Sequence, residues 1–280
     1  MENGVQPDIL VLRSERLLNP DIRKKVAQFC NVDINSVIES HDVETIYEVP
    51  LMMRDEGLDI TTLNKLNLPI NKDIDLENWI QFVEKLKNPK KEIKVGLIGK
   101  YVELPDSYKS IMESFVHAGA INECKVNLET IHSEDLNSEN VEEKLKSMQG
   151  IVVAPGFGQR GIEGKIVAAK YARENNLPYF GICLGMQSAV IEYARNVMNF
   201  NNADSTEFNR RTPYPVIDLM EEQKNVTEKG GTMRLGAYPC EIKENTKAYE
   251  IFNSSNIRER HRHRYEFNNK YLKDFENAGM

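Results

Sequence analysis

A cysteine between two glycines is the feature of this 280-residue sequence that most directly indicates chemistry. Cys183 stands in the middle of Gly181-Ile182-Cys183-Leu184-Gly185, between an apolar run that predicts a strand and a run from Met186 that predicts a helix. A strand that turns abruptly into a helix needs small residues on both sides, and the residue at the turn is strained and exposed. A thiol at a helix N-terminus is favoured as thiolate by free N–H groups and the helix dipole. The pattern therefore predicts an activated nucleophile.

A glycine-rich loop, Pro155-Gly156-Phe157-Gly158-Gln159-Arg160-Gly161, follows another predicted strand of the same sheet. Attack of sulfur on a carbonyl creates an oxyanion, which needs preorganised hydrogen-bond donors. We expect the N–H groups of Gly156 and of Leu184, the residue after the nucleophile, to supply them. The other cysteines lack flanking glycines and are predicted to be structural: Cys30, Cys124 and Cys240.

Composition excludes several classes of protein. The formal net charge of −7 argues against a general nucleic-acid binder, which would carry a basic stripe. Four cysteines without close pairing, and no C-x-x-C or H-E-x-x-H spacing, argue against a disulfide framework and against a metal site. The sequence shows no signal peptide and no apolar run long enough to span a bilayer. We expect a cytoplasmic protein with no metal, membrane or nucleic-acid partner.

Strands and helices alternate from residue 93 onward, which predicts an α/β fold with a mostly parallel sheet and helices on both faces. The predicted strands are 93–99, 126–131, 150–154 and 178–182. Ligands bind outside the carboxyl ends of the strands in such sheets. Glycine-bearing loops stand at three of these ends, after Ile98, after Val153 and at Cys183.

A smaller α/β segment is predicted before residue 93. Its two strands and one helix are predicted at 8–12, 43–49 and 20–30. Asn19 is the expected cap of the helix and Pro20 its first residue. The polar, proline-punctuated stretch 66–92 is predicted to be a linker that carries one amphipathic helix around Trp79. The predicted boundaries are 1–65, 66–92 and 93–280.

Five motifs stand along the chain: G-I-C-L-G-M-Q at 181–187, P-G-F-G at 155–158, S-T-E-F at 205–208, G-G-T-M-R-L-G at 230–236 and R-H-R-H-R-Y-E at 260–266. Together they resemble the glutamine amidotransferase domain of the CTP synthase family. The first two motifs are shared among triad-type glutamine amidotransferases, and the last three single out CTP synthases. Residues 6–10 and 100–106 resemble the end of the family's synthetase domain and the start of its glutaminase domain.

The resemblance implies a reaction in which Cys183 attacks the side-chain amide of L-glutamine and a glutamyl thioester forms and is hydrolysed. The ammonia would pass through a tunnel to a second site, where ATP-phosphorylated UTP is aminated to CTP. The resemblance also implies ATP and Mg²⁺ in the synthetase half, GTP as activator, and a homotetrameric parent protein.

Residue roles also follow from the resemblance. Contacts to glutamine or its oxyanion fall on Gly156, Leu184, Gly185, Met186 and Gln187. Glu207 would bind the substrate ammonium and Arg264 its carboxylate, which agrees with the need of a zwitterion for one fixed anion and one fixed cation. The allosteric GTP site would lie near Lys109, Phe157 and Gly164.

The chain departs from the family pattern in two ways. Pro155 stands where the family loop Pro-Gly-Gly-Phe-Gly has its first glycine, and proline fixes φ and removes one N–H; we expect Gly156 to suffice. No His-Pro-Glu follows Cys183, although such a thiol needs a histidine base and an orienting carboxylate, and no G-x-x-x-x-G-K-[ST] phosphate loop is present. We therefore expect an internal fragment that hydrolyses glutamine poorly by itself.

Two other functions are compatible with the residues. Another elbow-cysteine hydrolase, acting on amides or peptides, would share Cys183 but would not be labelled selectively by electrophiles that mimic glutamine. A non-catalytic regulatory module would keep the ligand sites without turnover.

Overall fold

The computed structural model describes residues 4–70, 74–220, 223, 236–261 and 263–280. Residues 1–91 and 117–125 form one compact unit, and residues 92–116 and 126–280 form a second. Residues 66–70 and 74–91, which make up most of the predicted linker, group with the first unit. The division after residue 91 lies close to the sequence-based boundary at 93, while the three-part division of the chain stays a prediction.

The described part of the first unit contains a small parallel sheet and helices. Its elements are β1 Leu10–Ser14, α1 Pro20–Phe29, β2 Val37–His41, α2 Val49–Asp55, α3 Leu58–Lys65 and α4 Glu77–Lys87. Strands β1 and β2 pair in parallel. The Asn19 side chain accepts a hydrogen bond of 3.0 Å from the Asp21 N–H and Pro20 opens α1, as the sequence predicted. In α4 the Trp79 indole N–H donates to the Tyr47 carbonyl at 2.9 Å.

The second strand of this unit lies earlier in the chain than predicted. Strand β2 ends at His41, and the predicted strand 43–49 is wrong. A capping box between Thr45 and Glu48 encloses a short 3₁₀ turn at Ile46–Glu48. Pro50 then lies in the first turn of α2, where its missing N–H costs nothing. These local signals favour helical turns over an extended chain.

The second unit is built on a four-stranded sheet. The elements that form this sheet and cover it are β3 Lys91–Gly99, α5 Lys109–Ile121, β4 Cys124–His132, α6 Val141–Leu145, β5 Gly150–Val153, α7 Ile162–Glu174, β6 Tyr179–Gly181 and α8 Leu184–Asn196. Residue 91 and residues 117–125 of these elements are grouped with the first unit. The spatial order is β4-β3-β5-β6, and β5 runs parallel to both β3 and β6. Each strand predicted in this region is present with its ends shifted by at most two residues, so the predicted mostly parallel sheet is confirmed.

Side chains of the central strands alternate between two faces, because successive residues of a strand point in opposite directions. Leu97 and Val152 belong to the cluster that contains residues of α5. Ile98 and Val153 belong to the cluster that contains residues of α6 and α7. Both faces of the sheet are therefore covered by helices, as predicted.

Smaller elements complete the described part of the second unit. They are β7 Asp204–Ser205, β8 Pro215–Leu219, β9 Gly236–Glu241, α9 Lys247–Phe252, β10 Asn256–His261, β11 Tyr265–Phe267 and α10 Leu272–Ala278. One sheet has the order β11-β8-β7, and β9 pairs with β10 as an antiparallel ribbon. The motif at 230–236 lies outside the described residues except for Gly236. Among the described helices, none has the length and apolar character needed to cross a membrane.

Candidate active site

Three loops meet at the carboxyl ends of neighbouring strands. Strand β3 leads to Lys100, β5 leads to the loop 154–158, and β6 leads to Cys183. These strands are adjacent in the sheet, and the loops therefore lie side by side at the edge where parallel α/β sheets bind ligands.

Cys183 occupies a strained backbone position immediately before α8. Its φ is +55° and its ψ is −107°, a conformation that costs a non-glycine residue about 1–3 kcal/mol. The neighbouring glycines provide space for this turn. A Cβ on Gly185 would lie 2.1 Å from the Val153 carbonyl oxygen, and a Cβ on Gly181 would lie 2.5 Å from the Gly185 carbonyl carbon. The spacing Gly-x-Cys-x-Gly thus lets α8 approach both β5 and β6 closely.

The Cys183 thiol is half-buried, and burial raises its pKa above the ordinary value. Nearby Glu207 raises the pKa further. The backbone N–H groups of Leu184 and Gly156 donate toward the sulfur and lower its pKa, as does the charge of Lys165. The helix terminus thus favours the thiolate, but the net pKa of the thiol is raised because desolvation outweighs these donors.

A pocket of about 60 Å³ opens beside the thiol. Its lining residues are Gly156, Phe157, Cys183, Gln187, Glu207, His263, Arg264 and Tyr265. The sequence predicted six of these eight residues as site residues. The pocket thus brings one carboxylate and one guanidinium to the same small volume as the sulfur.

Glu207 is held in the pocket by two backbone contacts. Its carboxylate accepts a hydrogen bond of 2.9 Å from the Gly158 N–H, and its own N–H donates to Ser205 Oγ at 3.1 Å. The loop after β5 and the segment after β7 are joined by the first of these bonds. The position of this anion therefore depends on both loops.

Arg264 and its neighbours are tied to the helix that carries the nucleophile. The buried Gln187 side-chain amide donates to the Tyr265 carbonyl at 2.8 Å. The Arg264 carbonyl accepts a bond of 3.0 Å from the Met220 N–H. The start of β11 is thereby fixed against α8 and β8, which places Arg264 at the pocket.

Five predicted site residues do not line this pocket, and the first of them is Leu184, whose side chain is buried. Gly185 packs against β5, and Met186 is about 39% exposed in the first turn of α8. Lys109 begins α5 and pairs with Glu113 at 2.9 Å. A Cβ on Gly164 would lie 1.7 Å from the Ser133 carbonyl oxygen, so close packing explains that glycine without a ligand. The predicted GTP contacts of Lys109, Phe157 and Gly164 stay predictions.

Two buried lysines beneath the loop after β5 were not predicted as site residues. Lys165 is fully buried, and its Nζ donates to the Ala154 carbonyl at 2.6 Å. Lys100 is 4% exposed, and its Nζ donates to the carbonyl of Phe157. Lys165 lies at the apolar spacing of α7 between buried Ile162 and Ala169, and this spacing is the sequence signal that was available.

His263 lines the pocket but is not paired with the nucleophile. Burial, and then the neighbouring His261, lower the pKa of His263, so its imidazole is neutral at pH 7. In the part of the chain that the structure describes, no hydrogen bond joins the Cys183 sulfur to a histidine. These residues therefore hold a nucleophile and a binding pocket without a Cys–His pair.

Two family models match this chain. The family described as glutamine amidotransferase class-I matches residues 103–279, and the CTP synthase N-terminus family matches residues 1–68. The chain therefore belongs to the class-I glutamine amidotransferases. With its N-terminal match and the relatives below, it belongs within them to the CTP synthase family.

Relatives of the chain are CTP synthases from bacteria. It is 58% identical over 280 residues to CTP synthase of Flavobacterium johnsoniae and 62% identical over 279 residues to that of Cytophaga hutchinsonii. Each match covers 100% of this chain and 52% of the relative, so the chain spans about half the length of these proteins. The solved glutaminase domain of Trypanosoma brucei CTPS with bound acivicin is 38% identical, with a TM-score of 0.61, and the match covers 67% of this chain and 72% of that one.

Proposed function

We propose that this chain provides the glutamine-hydrolysing site of a CTP synthase. The observation that carries the proposal is the convergence of Cys183, Glu207 and Arg264 on one pocket. A free amino acid carries one ammonium and one carboxylate, and charge-assisted hydrogen bonds from a fixed anion and a fixed cation recognise both. The T. brucei neighbour is a glutaminase domain with bound acivicin, which supports the assignment.

The Cys183 thiolate would attack the side-chain amide carbon of L-glutamine, and the carbonyl oxygen would become an oxyanion. Gly156 lines the pocket beside Cys183 and Leu184 directly follows it, so their N–H groups are the donors proposed for this oxygen. When the carbonyl re-forms, the C–N bond breaks and ammonia leaves with one added proton. Water then attacks the glutamyl thioester, which releases glutamate and restores the thiol.

Proline at 155 is compatible with this assignment, because the proposed donor is the N–H of the next residue, Gly156. A structure of the adduct with a glutamine analogue provides the check. An adduct oxygen beyond hydrogen-bond range of the Gly156 nitrogen would show that the altered loop has lost its donor.

We further propose that, in a longer cytoplasmic protein that forms homotetramers, the ammonia aminates ATP-phosphorylated UTP and that GTP activates the reaction. The residues present do not fit an ATP–Mg²⁺ site. The 280 residues contain no G-x-x-x-x-G-K-[ST] loop. The described residues hold no group of three or more His, Cys, Asp or Glu placed for a metal ion. We therefore assign ATP and Mg²⁺ to the part of the relatives that this chain does not match.

Labelling with acivicin tests the glutamine site directly. We expect one adduct on Cys183, mapped by peptide mass spectrometry, which L-glutamine suppresses and Cys183→Ser abolishes. Glu207→Gln should reduce the rate of labelling about tenfold, because the substrate ammonium loses its anion. Glu163→Gln, on the exposed side of α7, is the matched control and should label at the wild-type rate.

Indiscriminate labelling of Cys30 and Cys183, or labelling that glutamine does not suppress, would contradict the proposal. The first result would favour a different elbow-cysteine hydrolase. Glutamine binding without any adduct would favour a non-catalytic ligand-binding module.

A further inference from the structure

Lys165 ends beneath the loop that faces the nucleophile. Its side chain is fully buried, and its Nζ donates to the Ala154 carbonyl at 2.6 Å. A Cβ built on Gly156 would lie 3.7 Å from this Nζ. Gly156 lines the same pocket as Cys183, so the ammonium and the thiol both lie close to this short backbone segment.

No carboxylate in the described residues forms an ion pair with Lys165. A buried cation without a counter-ion is costly, and such groups are normally paired. Two charged groups shift the pKa of Lys165: Lys100 lowers it and Cys183 raises it. In the same way, Lys165 favours the charged form of Cys183 and Glu207 opposes it. The thiolate is therefore the anion available to this ammonium.

We propose that Lys165 is a positioning residue and the counter-ion of the Cys183 thiolate. Its ammonium holds the Ala154 carbonyl, which fixes the Gly156 N–H toward the sulfur, and its charge stabilises the thiolate across that segment. This inference rests on the proposed hydrolysis of glutamine at Cys183 and names a group that prepares the nucleophile for it.

The electrostatic state of Lys165 agrees with this role. Burial and the neighbouring Lys100 lower its pKa to about 8, so the ammonium is still mostly charged at pH 7. A lysine supplies a compact charge on an unbranched stem, which suits the narrow space between α7 and β5. Burial alone would leave the thiol protonated, so a nearby cation is the element that an elbow cysteine at this depth needs.

The first test measures the pKa of Cys183 in wild type and Lys165→Met. The rate of iodoacetamide alkylation of the Cys183 peptide is followed from pH 6.5 to 10.5 by mass spectrometry. We expect Lys165→Met to be alkylated about tenfold more slowly near pH 7, where Lys165 is charged, because an opposite charge is removed, and the apparent midpoint to rise; the two rates should converge above pH 8, where Lys165 loses its own proton. Lys170→Met, which changes an exposed lysine on the same helix, is the matched control and should leave the midpoint unchanged.

The second test measures the same electrostatic coupling through the pKa of Lys165. It does not require Lys165→Met to fold. The pKa of Lys165 is read from the ¹³Cε signal of ¹³C-lysine-labelled protein, with the signal assigned by its loss in Lys165→Arg. Coupled titrations are reciprocal, so Cys183→Ser should shift the high-pH part of the Lys165 titration downward by a similar amount.

Unchanged midpoints in both tests would overturn the inference. Neither test uses glutamine, so their outcome is separate from the acivicin experiment. If acivicin labels Cys183 but Lys165 and Cys183 are not coupled, the proposed function stands and the role proposed for Lys165 is rejected. If the two residues are coupled but glutamine does not suppress the labelling, the ion pair stands and the glutamine site is rejected.

Discussion

Cys183 and Lys165 each occupy an energetically unfavourable position in the fold. The cysteine has a left-handed φ, and burial raises the pKa of its thiol. The lysine is fully buried, and burial lowers the pKa of its ammonium. Such positions persist only where the surrounding fold supplies the compensating energy, and they concentrate at functional sites.

The buried ammonium predicts a specific dependence of stability on pH. The pKa of Lys165 is about 8 in the folded chain and 10.5 ordinarily, so the unfolded chain binds more protons between these values. The free energy of unfolding should therefore rise between pH 8 and 10.5, by about 3 kcal/mol, relative to Lys165→Met. Urea unfolding at several pH values, in the Cys183→Ser background so that the thiol does not titrate, measures this difference; the rise should begin below pH 8 there, because the thiolate that favours the ammonium is absent.

Lys170→Met in the same background is the control, and its stability should follow that of the unchanged lysine chain at every pH. Parallel curves for Lys165→Met and Lys170→Met would show that Lys165 titrates as an exposed lysine does.

Residue identities were predictable where a motif carries them. Cys183, Glu207 and Arg264 were found from sequence, and the structure gathers them at one pocket. Lys165 was missed because a lysine in a helix is read as exposed, and only the packing of α7 against the loop buries it. The net direction of the thiol pKa was also beyond the sequence, because it depends on how deeply the sulfur is buried.

At the scale of elements, the close approach of β5, β6 and α8 holds the nucleophile in place. Gly185 is the tightest of these contacts, since its missing Cβ leaves room for the Val153 carbonyl. Gly181 similarly leaves room for the backbone of the first turn of α8. The elbow therefore depends on two positions at which any side chain would collide with backbone.

Gly185→Ala should destabilise the chain by about 3 kcal/mol or more, because backbone rather than a flexible side chain must move. Gly150→Ala is the matched control: it is also a buried glycine of this sheet, but its Cβ would make an ordinary contact of 3.5 Å with the Pro178 carbonyl oxygen. We expect it to cost no more than about 1 kcal/mol. Urea midpoints and the alkylation rate of Cys183 measure both effects, and equal midpoints would refute the argument.

The order of elements was more predictable in the second unit than in the first. Continuous apolar runs such as Val95–Ile98 and Ile151–Val153 mark strands buried on both faces, and their ends were predicted within two residues. In the first unit the run 43–49 has strand-like composition, but Thr45, Glu48 and Pro50 direct it into helical turns. Capping chemistry decided the local structure there.

At the scale of the whole molecule, every described residue of the pocket belongs to the second unit. The lining residues come from positions as far apart as Gly156 and Tyr265, so the pocket forms only when the sheets of that unit are assembled. This organisation was predictable from the alternation of strands and helices, and the resemblance implied Arg264 at the glutamine site, whereas the position of His263 at the pocket required the structure.

The 280-residue chain should hydrolyse glutamine about a thousandfold more slowly than a full-length relative, because no histidine among the described residues is hydrogen-bonded to Cys183 and loss of a triad base costs several orders of magnitude in rate. Ammonia release measures the activity, with the full-length CTP synthase of Flavobacterium johnsoniae as control. Alkylation of Cys183 by iodoacetamide should persist. Turnover comparable to the control would show that a residue within these 280 serves as the base.

The backbone of Cys183 limits which amino acids can replace it without loss. Glycine alone adopts its dihedral angles freely, so a chain with glycine at this position would be relieved of strain and more resistant to heat, although chemically inert. A lineage released from selection for amide hydrolysis should therefore drift toward glycine there. A homologue with glycine at this position would have lost the nucleophile and gained thermal stability.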